Sequence, residues 1–354
     1  MRICLVGGAR FGVGEPAAGG LETLVTTLAR GLAGAGHDVT VLAGSQNDDG
    51  AVDGVEVEPL CTQPFRPSAD ARNDVSMPPD RFIEEHHAYA SAAIRLRHDD
   101  FDIVHNHSLH YLPPMFDMRT PMVHTLHSPP TPWLESAFAC AARPNDIVVS
   151  VSRANASRWG GLVDRVVHNG VDTDRWTRGR GRGGYAVWTG RVVPEKSPHL
   201  AIDAARTAGI PLRLAGPLHD PAYFSESVLP RLGDGVEYCG HLDTARLVSL
   251  VGSAAVAVVT PSWEEPYGLV VAEALACGTP VAAFARGAIP EIVDRSVGSL
   301  ADPDDVDLLA SAIRDAVTRR RSDCRRWALR RCSAAAMTRR YQTVYRAAIA
   351  RHGG

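Results

Sequence analysis

Short apolar runs alternate with helical patterns along the whole chain, and this alternation limits the possible folds more than any other feature of the sequence. The first run, Ile3 to Val6, predicts a buried strand, and a glycine-rich loop at residues 7–20 separates it from a helix that begins near Leu21. Asp38 to Ala43 predicts the next strand. Strands that alternate with helices form parallel sheets, because each connection must cross back over the sheet. The pattern therefore predicts an α/β protein with doubly wound sheets.

The alternation stops at residues 172–184 and begins again at Tyr185. The interrupting segment, DTDRWTRGRGRGG, holds four arginines and four glycines without an apolar period, which is typical of a linker. A chain of 354 residues is also long for a single hydrophobic core. We therefore predict an N-terminal Rossmann-like domain (residues 1–172), a linker (residues 173–184), a C-terminal Rossmann-like domain (residues 185–333), and a last helix (residues 334–354) that packs back on the first domain.

Composition argues against several classes of protein. The net charge of −3 favours neither nucleic acid nor an anionic membrane as a partner. The apolar run at the N-terminus is too short for a signal peptide, and no run approaches the ~20 apolar residues of a membrane span. The seven cysteines are scattered without a C-x-x-C pair, so we predict reduced thiols and a cytoplasmic location. The basic stretch Arg314 to Arg331 could contact a membrane surface, but its apolar face is thin and a solvated helix is preferred.

The stretch from Thr260 to Ile292 carries the densest polar pattern. Glu265 and Glu273 are separated by seven residues, and Gly268 follows the first of them closely. An apolar run then predicts a short helix that ends at Ala276, before another strand and another glycine-containing loop. In a parallel sheet, loops of this kind meet at the carboxyl edge, where polar ligands bind. We predict a ligand site there.

Two cations follow an earlier strand of the same half. Arg191 and Lys196 lie on a loop after the strand predicted for Tyr185 to Thr189. An arginine presents a planar fork to phosphate oxygens and a lysine adds a point charge, so the pair suits a diphosphate. A solvated pair is the alternative, and the acidic pair Glu265 and Glu273 two strands later favours the ligand site.

The N-terminal half has a glycine pair at a helix start. Gly19 and Gly20 would let backbone N–H groups approach an anion, which the helix dipole also favours. A tight turn is the alternative. A dinucleotide motif formed by Gly12, Gly14 and Ala17 is disfavoured, because it begins too far from the strand and Pro16 interrupts it.

Histidines cluster at predicted strand ends in the same half, namely at His105, His107, His110, His124 and His127. A metal site is disfavoured, because no carboxylate stands at ligand spacing. Hydrogen bonding at the strand ends is the simpler interpretation, and for His127 we favour a role at a cleft. The proline-rich residues 129–132 suit a loop at the edge of that cleft.

Five segments resemble, in chain order, the motifs of the retaining glycosyltransferases of family 4. The segment from Glu265 to Glu273 resembles the E-x7-E signature. The other four are Gly19-Gly20-Leu21-Glu22, His124-Thr-Leu-His127, Val166-Val-His-Asn-Gly-Val-Asp172 and Gly190-Arg191 through Glu195-Lys196. The family has the GT-B fold, in which two doubly wound Rossmann-like domains face each other across a cleft. Tyr267 and Ser197 depart from the usual phenylalanine and glycine without changing the expected reaction class.

The resemblance implies roles for residues of the C-terminal half. Arg191 and Lys196 would hold the diphosphate of the donor and stabilise the leaving group. Glu265 would lie beside the donor sugar, and Glu273 would bind the ribose hydroxyls. Further donor contacts are implied for the backbone of Gly268, Leu269 and Val270, and the base would lie near His241 and Leu242.

The resemblance also implies roles for the N-terminal half, which would bind the acceptor. His127 would face the transferred sugar, and Gly19-Gly20 would touch the phosphate. The loops Thr62 to Pro79 and Ser128 to Glu135 would choose the acceptor, and Trp133 suggests an apolar wall suited to a sugar face or a natural-product ring.

The expected reaction is transfer of a hexose-type sugar from a nucleotide-diphosphate sugar, by default UDP-linked, to a hydroxyl of a glycan, a natural product or another small molecule. We expect retention of configuration, with His127, Arg191, Lys196 and Glu265 at the reacting centre. No metal cofactor is expected, because the two cations can stabilise the leaving group. A nucleotide-sugar epimerase with a GT-B-like fold and a non-catalytic sugar-nucleotide-binding protein stay open as alternatives.

Overall fold

The computed structural model describes residues 1–14, 19–44, 52–60, 66–73, 80–141 and 145–353. The chain forms two compact units, which are described separately. The N-terminal unit comprises Met1–Val151, Arg158–Val167 and Thr338–Gly354, and the C-terminal unit comprises Ser152–Ser157 and His168–Met337. Each unit contains a parallel β-sheet, so the predicted α/β class with two doubly wound sheets is confirmed.

The N-terminal sheet has seven strands within the described residues, in the order β3-β2-β1-β4-β5-β6-β7, and the neighbouring strands are parallel. The strands are β1 (Arg2–Val6), β2 (Asp38–Ala43), β3 (Glu56–Pro59), β4 (Ile103–Asn106), β5 (Met122–Leu126), β6 (Ile147–Ser150) and β7 (Arg165–Val166). The central strands β1, β4 and β5 are buried along nearly their whole length. Burial on both faces is expected where helices cover both sides of a parallel sheet.

The C-terminal sheet has six parallel strands across its described residues, in the order β10-β9-β8-β11-β12-β13. They are β8 (Ala186–Thr189), β9 (Leu212–Ala215), β10 (Val236–Tyr238), β11 (Val256–Val259), β12 (Val281–Phe284) and β13 (Gly298–Ala301). The strand order reverses between β8 and β11, so the loops that follow these two strands diverge and leave a crevice at the carboxyl edge.

The α-helices of the described chain are α1 (Gly20–Gly34), α2 (Asp80–Leu96), α3 (Pro132–Cys140), α4 (Arg153–Ser157), α5 (Pro198–Ala208), α6 (Pro221–Tyr223), α7 (Thr244–Ser253), α8 (Leu269–Ala276), α9 (Ile289–Ile292), α10 (Val306–Ala316), α11 (Arg321–Arg331) and α12 (Ala334–His352). Helix α3 replaces part of the loop predicted for the proline-rich segment. Thr131 caps this helix by accepting a hydrogen bond from the N–H of Leu134, and Pro132 occupies the first turn, where no N–H is needed.

Both sheets are packed against helices through apolar side chains. In the N-terminal unit, Leu96 of α2 packs with Val104 and Met122 of the sheet. In the C-terminal unit, a larger core joins Trp188 of β8 and Phe284 of β12 to residues of α5 and α10. Within the described chain, no helix is long and apolar enough to cross a membrane.

The segment predicted as a linker packs closely on the C-terminal unit. Gly179 lies so near Gly252 that an added Cβ atom would stand 2.1 Å from the Gly252 carbonyl oxygen. The N–H groups of Gly181 and Gly183 donate to carbonyl oxygens at the end of α7, at 3.0 and 2.8 Å. The glycines of this segment therefore permit close contact between backbones. A glycine-rich composition is the same for a closely packed segment as for a flexible linker, so the sequence alone does not tell the two apart.

The basic stretch 314–331 is not a single solvated helix. It breaks between α10 and α11, and two of its arginines donate to backbone carbonyls of the C-terminal unit. Arg321 donates to the carbonyl oxygens of Gly252, Ala254 and Cys277 at 2.8 to 3.0 Å. Arg325 donates to those of Thr173, Trp176 and Ala276 at 2.6 to 2.7 Å. The prediction for this stretch was wrong for these two side chains, which hold α11 against residues 173–179.

Candidate active site

Three strand-end loops of the C-terminal unit approach one another closely. The Gly190 N–H donates to the Ala215 carbonyl after β8, and the Gly216 N–H donates to the Gly240 carbonyl after β9. Gly216 has a φ of +150°, and a Cβ atom added there would lie 1.8 Å from the Gly190 carbonyl oxygen. Only glycine permits this approach. His241 is exposed and Leu242 is partly buried just beyond Gly240, on the loop after β10.

Arg191 follows Gly190 on this edge. Its guanidinium lies 3.5 Å from Glu195, and both side chains are more than a third exposed, at 45% and 39%. An exposed ion pair contributes little to stability, so Arg191 can exchange it for a phosphate at small cost.

Lys196 forms an ion pair with Glu265, and this contact joins the predicted cation loop to the predicted acidic stretch. The same oxygen of Glu265 accepts a hydrogen bond from Trp263 Nε1 at 3.1 Å, and the Lys196 ammonium lies 5.2 Å from the centre of the Trp263 ring. Thr260 fixes the backbone at this point, since its hydroxyl lies 3.0 Å from the carbonyl oxygens of Lys196 and Ser197. Sequence reasoning missed Trp263, although it stands two positions before Glu265.

Helix α8 begins at Leu269, four residues after Glu265. Gly268 stands at its N-cap with a φ of +92°, a conformation that favours glycine. Leu269 and Val270 form its first turn, where backbone N–H groups have no acceptor within the helix. The loop after β12 closes against the same place, since the Ala288 N–H donates to the Glu265 carbonyl at 2.9 Å. The backbone donors of the first turn of α8 are therefore close in sequence to the Glu265 carboxylate. Contacts with Lys196 on one side and with Ala288 on the other hold Glu265 in place.

Glu273 lies further along α8 and is partly buried. Burial raises the pKa of its carboxyl group to about 7. Within the described residues the carboxylate has no hydrogen-bond or ion-pair partner. A desolvated carboxylate without partners accepts hydrogen bonds readily from ligand hydroxyls.

In the N-terminal unit, the glycine pair stands where the sequence predicts. Helix α1 begins at Gly20, and Gly19 is its extended N-cap. The buried carboxylate of Glu22 lies at the same helix end, 3.2 Å from where a Cβ atom of Gly19 would be. Burial raises the pKa of Glu22, so the group is more easily protonated than an ordinary glutamate. Sequence reasoning did not give Glu22 a role of its own. Ala17 and Pro16, from the disfavoured dinucleotide motif, lie outside the described residues.

The histidines of this unit separate into two groups by strand face. His105, His107 and His127 are joined by hydrogen bonds: His127 Nε2 lies 2.9 Å from His107 Nδ1, and His107 Nε2 lies 3.1 Å from His105 Nδ1. His124 points to the opposite face, where it contacts Asp146 at 3.2 Å. His110 accepts a hydrogen bond from the backbone of its own loop. Among the described residues, no group of three or more histidine, cysteine, aspartate or glutamate side chains could hold a metal ion.

Two family models match successive parts of the chain. The model described as Glycosyltransferase Family 4 matches residues 18–175, and the model described as Glycosyl transferases group 1 matches residues 173–330. Together they span residues 18–330, which include all five of the segments that resemble family motifs.

The chain is a family 4 glycosyltransferase.

Relatives of this glycosyltransferase include the glycogen synthase of Mycobacterium tuberculosis (strain CDC 1551 / Oshkosh). The two are 29% identical over 350 residues, which cover 84% of this chain and 82% of the relative. This relationship and the family models show that the enzyme is a glycosyltransferase.

Solved structures share the fold of the glycosyltransferase. AviGT4, a glycosyltransferase involved in avilamycin A biosynthesis, has a TM-score of 0.73 at 24% identity, covering 99% of this chain and 98% of that one. Anabaena Alr3699/HepE in complex with UDP and glucose has a TM-score of 0.73 at 21% identity, covering 97% of this chain and 99% of that one. The predicted GT-B fold is confirmed.

Proposed function

We propose that this family 4 enzyme transfers a hexose from a UDP-linked donor to a hydroxyl of a small-molecule or glycan acceptor, with retention of configuration and without a metal ion. The observation that carries the proposal is the contact between Lys196 and Glu265. It brings the cation expected to hold the diphosphate against the carboxylate expected beside the sugar. In a nucleotide sugar, the diphosphate is bonded directly to the sugar. A site for this class of ligand therefore needs the cation and the carboxylate side by side.

The leaving group is stabilised by fixed positive charge. Breaking the bond between sugar and diphosphate leaves negative charge on the nucleotide, and Arg191, Lys196 and the N-terminus of α8 can balance it. Arg191 and Lys196 already stand in ion pairs with Glu195 and Glu265, and a diphosphate can replace these carboxylates. We infer that Arg191, Lys196 and the N-terminus of α8 together take the place of a metal ion.

Retention of configuration is proposed to follow attack by the acceptor on the face from which the nucleotide departs. A carboxylate nucleophile would be the alternative, as in glycoside hydrolases. Against it, one oxygen of Glu265 accepts a hydrogen bond from Trp263 Nε1, and this bond does not depend on the ion pair with Lys196. We therefore assign Glu265 to positioning of the donor sugar.

The nucleotide is proposed to bind through its ribose at Glu273 and its base near His241 and Leu242. Ribose hydroxyls would donate to the unpaired Glu273 carboxylate and stabilise its charged form, so binding should lower the pKa of this group. The choice of UDP draws support from Anabaena HepE, which was crystallised with UDP and glucose.

The acceptor is proposed to carry a ring that stacks on an aromatic surface of the N-terminal unit. Trp133 is 60% exposed at the start of α3. Its ring centre lies 5.3 Å from that of Tyr111 and 5.7 Å from that of Phe82. Aromatic faces of this kind stack on sugar rings and planar natural products. Of the two loops predicted to choose the acceptor, residues 62–65 and 74–79 lie outside the described part of the chain.

We also propose a cytoplasmic location for the enzyme. None of the six cysteines in the described residues forms a disulfide bond, and four of the six are fully buried. Thiols persist in a reducing compartment.

Thermal stabilisation by a panel of nucleotide sugars tests the donor assignment, because a ligand that binds only the folded protein raises its melting temperature. We expect UDP-glucose or another UDP-hexose to give the largest shift, ahead of ADP- and GDP-linked sugars. Glu273→Gln should reduce the shift, whereas Glu237→Gln, an exposed position in the same unit, should leave it unchanged. Equal shifts for all nucleotides would contradict the choice of UDP.

Product analysis tests the reaction. With a UDP-hexose and an accepted acceptor, NMR of the product should show the anomeric configuration of the donor. Conversion of the nucleotide sugar without any acceptor would instead indicate an epimerase, and binding without turnover for any acceptor would indicate a non-catalytic protein.

A further inference from the structure

A buried chain of hydrogen bonds leads from the interior of the N-terminal unit to His127. The chain, here called the histidine relay, consists of His105, His107 and His127. His105 and His107 are completely buried, and His127 is partly buried at the outer end. The inner end is fixed by His105, whose Nδ1 lies 2.7 Å from the Tyr345 hydroxyl and whose Nε2 lies 2.8 Å from the Thr125 hydroxyl.

Helix α12 supplies the anchor for the relay. Tyr341 and Tyr345 lie one turn apart on this helix, both fully buried, and the Tyr341 hydroxyl lies 3.0 Å from that of Thr125. The relay is therefore held by side chains that are more than two hundred positions away in the sequence.

The three imidazoles of the relay are neutral. Burial lowers the pKa of His105 and His107 well below the ordinary value, and the neighbouring histidines lower it further. Burial also lowers the pKa of His127 to about 3. The other titratable groups packed around the relay are Tyr341 and Tyr345, together with His124 on the opposite face of the sheet. None of them supplies a negative charge that would favour a protonated imidazole.

Neutral imidazoles have one donor and one acceptor nitrogen, and this fixes how the relay works. His107 bonds to a histidine through each nitrogen, so it must donate on one side and accept on the other. If His107 donates to His127, then His127 Nδ1 carries a proton and is a donor. If the direction reverses, His127 Nδ1 is an acceptor. In either case one nitrogen of His127 is occupied by His107, and Nδ1 is left for a ligand.

We propose that His105 and His107 are positioning residues that hold His127 in one neutral tautomer and present its Nδ1 to the substrate. The inference rests on the proposed function, in which His127 faces the transferred sugar. His127 then acts on the sugar by a directed hydrogen bond and not by its charge. Its orientation is set by the bond to His107, which constrains the plane of the ring.

Variants of His107 test the proposal. His107→Ala opens a cavity that water can enter, which would release the ring of His127 and return its pKa towards the ordinary value. We expect kcat to fall about 10- to 100-fold, the cost of a misplaced reacting group. An acid limb should also appear near pH 6.5 in a profile that is flat at that pH for the wild type. His107→Gln keeps a side chain that can donate or accept, so it should restore most of kcat and the flat profile.

Three controls separate the relay from loss of folding. The dissociation constant for UDP, measured calorimetrically, should be unchanged in both variants, because the nucleotide is assigned to the C-terminal unit. His98→Gln, at an exposed histidine, should resemble the wild type. NMR of ¹⁵N-histidine-labelled protein reports the tautomer of His127 without any substrate.

The outcomes of the NMR measurement decide the proposal. A single neutral tautomer at pH 6, replaced by a mixture in His107→Ala, would support the relay even if no nucleotide sugar were turned over, in which case only the proposed function would fail. A His127 that titrates near pH 6.5 in the wild type would overturn the relay. Wild-type kcat and pH profile in His107→Ala would do the same.

Discussion

The candidate residues of the N-terminal unit and those of the C-terminal unit use opposite physical means. In the N-terminal unit, His105 and His107 are fully buried and uncharged, and hydrogen bonds between them set the orientation of their side chains. In the C-terminal unit, Arg191 is nearly half exposed, and Lys196 and Glu265 are partly exposed. Attraction between opposite charges sets the orientation of these side chains. The difference matches the two sides of a glycosyl transfer, since charge develops on the diphosphate while the sugar presents only hydroxyls. Changes in charge, backbone geometry, pH and salt should therefore affect the two halves differently.

Removing the central cation of the C-terminal half should have the largest effect. We expect Lys196→Ala to lower kcat/KM about a thousandfold, or ~4 kcal/mol, because the leaving group loses a fixed charge. The measurement is steady-state transfer with the best donor from the nucleotide-sugar panel. Arg246→Ala, which removes an exposed arginine of the same unit, is the control and should stay within twofold of the wild type. If Lys196→Ala kept nearly wild-type turnover, the conclusion that the C-terminal unit stabilises the leaving group by charge would be wrong.

Backbone contact in the C-terminal half is the next most sensitive feature. In Gly216→Ala the new Cβ would lie 1.8 Å from the Gly190 carbonyl oxygen, so the loop that carries Arg191 must move. We expect the dissociation constant for the nucleotide to rise about 30-fold, or ~2 kcal/mol, the usual cost of overpacking. Isothermal titration calorimetry with UDP would measure it.

Gly233→Ala is the matched control for that change. Gly233 also has a positive φ, of +95°, but a Cβ atom there would meet nothing within 4 Å. It should cost about 1 kcal/mol of stability through backbone strain and leave nucleotide affinity unchanged. Equal losses of affinity in the two variants would show that strain, and not the contact between loops, is responsible.

The two halves also differ in how much of them the sequence predicts. Glu265, Gly268 and Glu273 lie within one strand–loop–helix segment, so their spacing is visible in the sequence, and the predicted end of α8 at Ala276 agrees with the structure. The predicted strands Asp38–Ala43 and Met122–Leu126 also agree, because buried apolar runs are strong local signals. The family and the fold followed from such local motifs.

Long-range contacts were beyond sequence reasoning. The histidine relay depends on Thr125 and on two tyrosines of α12, and nothing local to His105 indicates them. Arg321 belongs to a stretch whose composition predicts solvation, yet it donates to backbone carbonyls of two separate segments, at Gly252 and Ala254 and at Cys277. In both cases a polar group is buried because distant partners satisfy it, and such partners have no signature in sequence spacing.

Acid should separate the two units by their stability. The pKa of His105 and of His107 is lowered in the folded protein, so below about pH 6.5 the unfolded chain binds protons that the folded N-terminal unit does not. The free energy of unfolding should therefore fall as pH decreases, by about 1.4 kcal/mol per pH unit for each histidine. The pKa of Glu273 is raised from 4.5 to about 7 in the folded protein. Between these two pH values the folded C-terminal unit binds a proton that the unfolded chain does not. Glu273 should therefore make the free energy of unfolding of this unit rise as pH decreases.

Calorimetric unfolding between pH 5 and pH 7 would measure these opposite trends. His107→Gln should reduce the slope for the N-terminal unit, whereas the exposed His98→Gln should not change it. An N-terminal unit whose slope is the same in His107→Gln as in the wild type would contradict the assignment of this loss to the buried histidines.

Salt should have the smallest effect, and only on the C-terminal half. Arg191 is more exposed than Lys196, at 45% against 24% of the side chain, so its attraction for phosphate is screened more strongly. We expect the dissociation constant for UDP to rise about threefold between 0.05 and 0.5 M salt, and Arg191→Gln to weaken binding a few-fold while removing most of this dependence. The tautomer of His127 should stay the same over that range, because neutral groups in a desolvated chain have no charge to screen. A salt-dependent tautomer would show that the relay is coupled to charge after all.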